Sequence, residues 1–454
     1  MKPRPPLPGG PYLVVGLARS GVAAALALRA RGEEVIGCDA GAPDEPRLAE
    51  AAERLSRHGV EVHLDASGDD LAARARTLIK SPGVPREALA VQAALAGAVP
   101  VLGELELAWR LLSNEFIAVT GTNGKTTTTE WIGHIHREAG LEVVVAGNVG
   151  TAVASLAGAI SPSAAVVCEC SSFQLEDTEA FAPEVGVLLN LSPDHLDRHG
   201  SFESYRAAKL QLFANQSAHD LAVLPAGLPV EGRARQVIYG LGPEAALAEQ
   251  ITLPGEHNRQ NGMAAAAACL ASGIDPNAVA RGLRTFRGVA HRLELVAIRD
   301  GVSYVNDSKA TNVDSTLMAL RAYGGGIHLI AGGRGKQQDF TPLAPLVAER
   351  CVAVYLLGEA AGELERALAD TGVPLIPSGD LERALDAAAV TATPGQVVLL
   401  SPACASYDQY RDFEARGDHF RALAGASAER RASGEAGGGA RSQNAGPEDP
   451  RRTP

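Results

Sequence analysis

Long hydrophobic runs, a disulfide framework and an excess of positive charge are all missing from this sequence of 454 residues. No apolar stretch approaches the roughly 20 residues that a membrane-spanning helix needs, and no export signal follows the first residues. The six cysteines are scattered, which is typical of a reducing compartment. The formal net charge of −12 disfavours nucleic acid as a partner. We therefore expect a cytoplasmic protein with neither a membrane nor a nucleic-acid partner.

Lysine is also scarce, because only six of the 41 basic residues are lysine. Only lysine offers a compact primary amine, whereas arginine offers a planar guanidinium group. A lysine that this arginine-rich chain retains is therefore a candidate for chemistry that arginine cannot perform. The six are Lys2, Lys80, Lys125, Lys209, Lys309 and Lys336.

The length allows about three domains of ordinary size, and the composition is that of a globular protein. Strands and helices alternate throughout, which predicts an α/β fold. We expect a Rossmann-like domain over residues 1–103, a central P-loop ATPase domain over 104–289 and a C-terminal Rossmann-like domain over 290–426. Residues 427–454 are rich in alanine, glycine, arginine, glutamate and proline without apolar periodicity, so a disordered tail is expected there.

The clearest functional pattern lies between Phe116 and Thr129, where an apolar run enters a glycine turn and then a predicted helix. Glycines let backbone N–H groups close on an anion, and the helix dipole favours it. Lys125 would reach the outer phosphates and Thr126 would hold Mg²⁺. Val119 occupies the place of the usual first glycine, so the motif is a variant P-loop. The predicted nucleoside triphosphate site comprises Gly121, Thr122, Asn123, Gly124, Lys125, Thr126 and Thr127.

A second nucleotide pattern opens the chain. A strand ending at Val15 leads into a turn from Gly16 to Gly21, a helix, and a second strand that ends at Asp39. This order is typical of a Rossmann-like nucleotide site. The turn has only two glycines, so NAD is a minor alternative to a uridine-type nucleotide. A further strand runs into the Ser81-Pro82-Gly83 turn and carries Lys80.

Acidic and basic side chains follow the predicted central strands. Glu169 ends one strand near the P-loop, the usual place for a Mg²⁺ ligand, although a solvated carboxylate is the alternative. His195 lies on the next strand-end loop and is a metal or phosphate candidate, whereas Asp197 or His199 could instead cap that loop. Lys209 lies on a predicted helix beyond it.

Two asparagines further along the chain have two interpretations. Asn258 either caps a helix or binds a ligand, and Asn261 lies one turn on.

In combination, the motifs of residues 12 to 422 resemble the Mur ligase family. They are Gly-Thr-Asn-Gly-Lys125-Thr, Asn-Val-Gly, Glu169-x-Ser-Ser-Phe-Gln, Ser-Pro-Asp-His195-x-Asp-Arg-His, Tyr-Arg-Ala-Ala-Lys209, His-Asn258-x-x-Asn261, His-Arg292-x-Glu, Asn-Asp307-Ser-Lys309-Ala-Thr311-Asn and Ser-Pro-Ala-Cys-Ala-Ser406. The resemblance implies an ATP-dependent amide ligase that activates a carboxylate as an acyl phosphate. It implies UDP-N-acetylmuramoyl-L-alanine, D-glutamate and ATP as substrates of a monomeric enzyme.

The resemblance also implies a role for each matching residue. Lys125, Glu169, His195 and Lys209 would be catalytic. One Mg²⁺ would bind Thr126 and Glu169, and a second would bind His195 and a CO₂-derived carbamate on Lys209. ATP would further contact Asn258, Asn261, Arg292 and Asp307. The UDP substrate would contact Gly16, Leu17, Ala18, Arg19, Ser20, Asp39, Ser81, Pro82, Gly83, Asn148, Ser171 and Ser172. D-Glutamate would contact Lys309, Thr311, Lys336, Ser406 and Phe413.

Some alternatives stay open. Another Mur ligase or a folylpolyglutamate synthase-type ligase would share the P-loop, and a non-catalytic nucleotide-binding protein could retain the fold. Ala40-Gly41 also replaces a Thr-Arg pair that better-known family members place beside the uridine. How uracil is held is therefore open.

Overall fold

The structure is a computed structural model that describes residues 2–253, 255–335 and 338–432. The side chains of Asp197, Asp314 and residues 426–432 are outside this description. Lys336, predicted to bind D-glutamate, lies outside the described residues, as does most of the predicted tail. The last helix reaches Ala432, so helical backbone continues past residue 427, where we expected disorder to begin.

The first sheet has five parallel strands in the order β3-β2-β1-β4-β5. The strands are β1 (Tyr12–Val15), β2 (Val35–Cys38), β3 (Glu61–His63), β4 (Thr77–Lys80) and β5 (Val101–Gly103). The helices are α1 (Arg19–Ala30), α2 (Pro46–Arg57), α3 (Asp69–Ala72) and α4 (Leu89–Ala96). All residues of β1, β2 and β4 are buried, which explains the apolar runs of β1 and β2, whereas β4 also buries Thr77 and Lys80 at its two ends. The strand order reverses at β1, where doubly wound sheets form their ligand crevice.

The second sheet has six parallel strands in the order β11-β10-β9-β6-β8-β7. The strands are β6 (Phe116–Thr120), β7 (Val143–Gly147), β8 (Ala165–Glu169), β9 (Val185–Leu188), β10 (Leu221–Leu224) and β11 (Arg235–Ile238). The helices are α5 (Glu104–Leu111), α6 (Lys125–Glu138), α7 (Ser172–Leu175), α8 (Leu196–His199), α9 (Phe202–Ala214), α10 (Glu256–Ala271) and α11 (Pro276–Thr285), with 3₁₀ segments at Val153–Leu156 and Pro243–Gln250. The central strands β6, β8 and β9 place their carboxyl ends side by side.

The third sheet has six strands in the order β12-β13-β17-β14-β15-β16, and β12 is antiparallel to β13. The strands are β12 (Glu294–Arg299), β13 (Val302–Asn306), β14 (Ile327–Gly332), β15 (Cys351–Leu357), β16 (Leu375–Gly379) and β17 (Val397–Leu400). The helices are α12 (Val313–Arg321), α13 (Ala344–Arg350), α14 (Ala361–Leu368), α15 (Leu381–Thr391) and α16 (Phe413–Ala432), with 3₁₀ segments at Thr341–Leu343 and Ala369–Thr371.

The α/β class is confirmed, but the chain divides into two compact units, Met1–Arg287 and Gly288–Pro454. The first two sheets fall in one unit because their buried side chains form one cluster. Val14 of the first sheet and Phe181 beside the second belong to it. The predicted boundary at 103 therefore lies inside a unit, at the end of β5.

None of the helices in the described part of the chain is both long and apolar enough to span a membrane.

Candidate active site

The P-loop joins β6 to α6, as its sequence predicts. Gly124 is the residue before α6 and has a left-handed φ of 83°, which favours glycine. A Cβ atom added there would lie 2.2 Å from Asn261 Oδ1, so Asn261 packs directly on the loop. The loop is also held from the end of β9, because the Thr122 and Asn123 amides donate to the backbone and side-chain oxygens of Asn190 at 3.0 and 2.9 Å.

Two lysines converge on one carbonyl of this loop. Lys125 Nζ donates to the carbonyl oxygens of Gly121 and Thr122 at 2.9 and 2.8 Å. Lys209 Nζ, from α9, donates to the same Gly121 oxygen at 2.8 Å. Only 2 % of Lys209 is exposed, and its Nζ lies 4.7 Å from the centre of the Tyr205 ring. Burial, followed by repulsion from Lys125, lowers the pKa of Lys209 to about 7. A large share of this amine is therefore neutral near pH 7.

Glu169 ends β8, and β8 pairs with β6, so its carboxylate lies beside the P-loop strand. Only 3 % of Glu169 is exposed. Its Oε1 accepts a hydrogen bond from Asn148 Nδ2 at 2.9 Å, whereas its buried Oε2 has no hydrogen-bond partner among the residues that the structure describes. A buried carboxylate oxygen without a donor is costly, and a cation would satisfy it. The residues here fit Mg²⁺, with the buried hydroxyl-bearing residue Thr126 in the first turn of α6.

The two predicted histidines lie at opposite ends of α8, His195 just before the helix and His199 as its last residue. His195 has a left-handed φ of 51°, uncommon for a residue other than glycine and often found at functional sites. Its half-exposed ring lies 4.9 Å from the ring of Phe173. His199 stacks on the same Phe173, and its Nε2 lies 2.9 Å from Ser172 Oγ. The two rings thus occupy different positions, with His195 the more accessible.

The glycine turn of the first sheet is fastened by Asp39. The Leu17 and Gly41 amides donate to the two oxygens of this carboxylate at 2.6 and 2.9 Å. Ser81 Oγ donates to the Gly16 carbonyl at 2.6 Å. Two predicted substrate residues, Asp39 and Ser81, are thus engaged in shaping the turn.

The predicted UDP-side residues of the second sheet also have local partners. Ser171 caps α7, accepting a hydrogen bond from the Gln174 amide, whose side chain in turn accepts from the Ser171 amide. Asn148 follows Gly147, where an added Cβ would lie 2.2 Å from the Glu169 carbonyl oxygen. The Asn148 carbonyl oxygen accepts a hydrogen bond from Arg19 Nη2 at 3.3 Å. Arg19 and Asn148 therefore connect the two sheets of the first unit.

Asn258 is not the helix cap that one interpretation of the sequence expected. Helix α10 begins at Glu256 after Gly255, so Asn258 lies within its first turn. The physical reason is that Gly255, with a φ of 96°, takes the capping position, because its carbonyl accepts hydrogen bonds from the amides of Asn258 and Arg259, each at 3.1 Å.

The second unit holds the other predicted residues. Asp307, 5 % exposed, accepts hydrogen bonds from the Leu293 amide at 3.1 Å and from Ser401 Oγ at 2.7 Å, one on each carboxylate oxygen. Burial raises its pKa to about 7, although Arg292 and Lys309 act in the opposite direction.

The loop after Asp307 carries Lys309 and Thr311, which are predicted to bind D-glutamate. The Lys309 amide donates to the His291 carbonyl at 3.0 Å, and the Thr311 amide donates to the Lys309 carbonyl at 2.9 Å.

Arg416 is a functional candidate that sequence reasoning missed. It is fully buried in α16, and its guanidinium donates to the carbonyls of Ser308 and Cys404 at 2.8 and 3.1 Å. Ser308 Oγ in turn donates to the carbonyl of Phe413 at 2.8 Å. One arginine thus ties together the segments that carry Lys309, Ser406 and Phe413. The only sequence signal was its place three residues after Phe413.

Comparisons with known proteins agree with these motifs. Residues 119–240 match the Mur ligase middle domain, and residues 291–404 match the Mur ligase glutamate ligase domain. A UDP-N-acetylmuramoylalanine–D-glutamate ligase of Pelotomaculum thermopropionicum is 42% identical over 440 residues, 90% of this chain and 96% of the relative. A protein of the same description from Acidobacterium capsulatum is 42% identical over 451 residues, 92% of this chain and 96% of the relative.

Solved structures share the fold at low identity. MurF of Acinetobacter baumannii has a TM-score of 0.54 and 15% identity, over 92% of this chain and 93% of that chain. The UDP-N-acetylmuramate–alanine ligase of Thermotoga maritima has a TM-score of 0.51 and 20% identity, over 92% of this chain and all of that chain. Both the matched domains and the long curated relatives lead to one conclusion: the chain belongs to the Mur ligase family.

Proposed function

We propose that the chain joins D-glutamate to UDP-N-acetylmuramoyl-L-alanine, using ATP and releasing ADP and phosphate, as a cytoplasmic step of peptidoglycan precursor synthesis. The observation that carries this proposal is the convergence of Lys125 and Lys209 on the Gly121 carbonyl, beside the buried carboxylate of Glu169. The two relatives that are 42% identical to this chain are UDP-N-acetylmuramoylalanine–D-glutamate ligases, and we assign the same substrates here.

The reaction begins with transfer of the terminal phosphoryl group of ATP to the substrate carboxylate. The amine of D-glutamate then attacks the acyl carbon, a C–N bond forms, the C–O bond to phosphate breaks, and the amine gives up a proton. Each step brings anions together, so fixed cations and N–H donors lower the barrier. Lys125 and the amides between Gly121 and Thr126 are the groups of this chain that hold the phosphates.

Two Mg²⁺ ions fit the available donors. Thr126 and Glu169 would hold one, since Glu169 Oε2 is a buried acceptor without a donor. His195 and a carbamate on Lys209 would hold the second. Bound Mg²⁺ supplies positive charge that offsets the phosphate oxygens.

Carbamylation requires the ammonium to lose one proton first. The neutral amine then joins CO₂ through a new N–C bond and releases a second proton, which leaves a carboxylate-like anion in place of the cation. Lys209 suits this change because it is buried and close to Lys125, and arginine could not replace it.

The remaining substrate contacts keep the assignments made from the sequence. In the first sheet, Asp39 acts by holding the Leu17 amide, and the rest of the turn faces the UDP portion. Binding of the adenine nucleotide is assigned to Asn258, Asn261, Arg292 and Asp307. D-Glutamate is assigned to Lys309, Thr311, Lys336, Ser406 and Phe413.

The test is phosphate release with ATP, Mg²⁺ and UDP-N-acetylmuramoyl-L-alanine, comparing D-glutamate with L-glutamate, meso-diaminopimelate and L-lysine. Release with D-glutamate alone is expected. Release with another amino acid would move the chain to a sibling reaction, and L-glutamate addition to folate would favour the folate-type ligase. Bound ATP with no release under any of these conditions would favour a non-catalytic protein.

A further inference from the structure

Lys80 is a scarce lysine that the proposed reaction does not use. It is the last residue of β4, and none of its side chain is exposed. Its Nζ lies 2.7 Å from Asp177 Oδ2, in a side chain that is itself 2 % exposed. Its Nζ also donates to the Val84 carbonyl at 2.7 Å. A buried ion pair gives little net stability because both charges lose their hydration. Stability of the fold is therefore a weak explanation for a lysine at this position.

The Val84 amide closes the predicted substrate turn Ser81–Val84 by donating to the Ser81 carbonyl at 3.0 Å, and the Val84 carbonyl is the oxygen that accepts Lys80 Nζ. The same carbonyl accepts a second cationic donor, Arg198 Nη2, at 3.0 Å. Arg198 belongs to α8, three residues after His195. A lysine of the first sheet and an arginine of the His195 loop therefore meet on one oxygen of the turn.

Basic side chains around the turn also contact the segment that follows Ser171 and Ser172. Arg198 Nη2 lies 3.3 Å from Glu176 Oε1, and its guanidinium lies 4.6 Å from the ring centre of Phe173. Arg86 Nε lies 3.1 Å from Asp177 Oδ1. Lys80, Arg86 and Arg198 thus connect three segments, each of which carries predicted substrate or metal residues.

The outer side of the turn is open to a ligand. A Cβ atom added at Gly83 would meet nothing within 4 Å, whereas the inner side is occupied by Ser81 against Gly16. The charged groups therefore lie behind the turn and set its position, and they leave its exposed backbone to the substrate.

We propose that Lys80 and Arg198 are positioning residues that hold the Ser81–Val84 turn at a fixed distance from Ser171-Ser172 and His195. With the turn held there, the UDP-sugar part of the substrate binds so that the substrate carboxylate lies near the P-loop. The identity of this substrate rests on the proposed function. Lysine suits the site because one small ammonium group lies 2.7 Å from both the Val84 carbonyl oxygen and Asp177 Oδ2, in a space closed to solvent.

The test replaces Lys80 by methionine, which is of similar length and uncharged. The KM for UDP-N-acetylmuramoyl-L-alanine should rise on the order of ten-fold or more, because displacement of a binding segment weakens orientation. The kcat and the KM for ATP should stay within about three-fold of the unchanged protein. Calorimetric titration of the UDP substrate without ATP should show the same loss of affinity. Arg198→Met should likewise raise the KM for the UDP substrate and leave kcat and the KM for ATP little changed. This variant tests the proposal if Lys80→Met does not fold.

The matched control is Lys2→Met. Lys2 Nζ lies 2.8 Å from Asp220 Oδ2, a buried partner remote in sequence from the turn. This variant should keep the KM and affinity for the UDP substrate.

A double variant separates positioning from stability. Lys80→Met with Asp177→Leu removes the buried carboxylate that the single change leaves short of a partner, so the melting temperature should recover. The KM should stay high, because the Val84 carbonyl still lacks the lysine donor. Recovery of the KM together with the melting temperature would overturn the proposal, as would Lys80→Met and Arg198→Met with unchanged affinity. Failure of the proposed function would be seen separately, in the unchanged protein.

Discussion

Glu169 and Asp307 are two buried carboxylates at the ends of strands in different units, and their surroundings differ. Glu169 is the last residue of β8 and Asp307 directly follows β13, and both are at most 5 % exposed. Asp307 receives one hydrogen bond on each oxygen, whereas Glu169 receives one on Oε1 and none on Oε2. An unmade hydrogen bond in the interior costs about 1–3 kcal/mol. Glu169 therefore leaves one oxygen for the proposed Mg²⁺, whereas both oxygens of Asp307 accept hydrogen bonds from neighbouring loops.

We expect the largest loss of activity from a change at Lys209, which belongs to the same proposed two-metal site as Glu169. Lys209→Ala should lower kcat by about 10³-fold or more, because the site loses a ligand that stabilises developing charge. Acetate should restore part of the rate by filling the place of the carbamate. The measurement is phosphate release across acetate concentrations, with the unchanged protein as the control. Absence of rescue at every concentration would contradict the carbamate.

Glu169→Gln tests the carboxylate with the unpartnered oxygen. The glutamine side chain is isosteric with glutamate and can still accept from Asn148, so the fold should be retained. We expect kcat to fall by about 10²–10³-fold. The melting temperature should stay the same or rise, because a buried charge short of partners is removed. A large loss of melting temperature would show that Glu169 serves the fold.

Asp307→Asn should instead change the pH dependence of stability. The folded pKa of Asp307 is about 7, above its unfolded value near 3.9, so the folded state binds more protons between these values. Stability from this group is complete below about pH 4 and is lost as the pH rises through about 7. In the asparagine variant, the free energy of unfolding should depend less steeply on pH between pH 4 and 8. Urea unfolding curves recorded across this pH range measure that dependence. If the variant and the unchanged protein show the same pH dependence of stability, that dependence comes from other carboxyl groups.

Local patterns were the part of this structure that the sequence could predict. The P-loop, the glycine turn of the first sheet and the acid at the end of β8 each depend on residues within a few positions of one another. Backbone geometry then forces the result, as the left-handed φ of Gly124 shows.

Contacts between distant residues could not be predicted in the same way. Arg416 donates to Ser308, 108 residues away, and Lys80 of the first sheet pairs with Asp177 in the turn after α7. No periodicity or spacing records such pairs. The shared core of the first two sheets was missed for the same reason, because each sheet alone has the pattern of a separate domain.

The smallest effect is expected at the C-terminal end, where two parts of one region can be compared. In α16, Phe420 and Ala424 are fully buried, and Arg421 donates to both oxygens of Glu294 at 2.9 and 3.0 Å. A chain ending at Ala432 keeps these contacts, so its kcat and melting temperature should match those of the full chain.

A chain ending at His419 loses the buried Phe420 side chain, and loss of such a group costs about 3–5 kcal/mol. Its second unit should therefore unfold at a clearly lower temperature in calorimetry, while the first unit keeps its transition. Since residues 433–454 are mostly small, polar or charged, they offer little apolar surface to bury. A large fall in kcat on removing only those residues would show that they act in the reaction, and would move the functional boundary beyond α16.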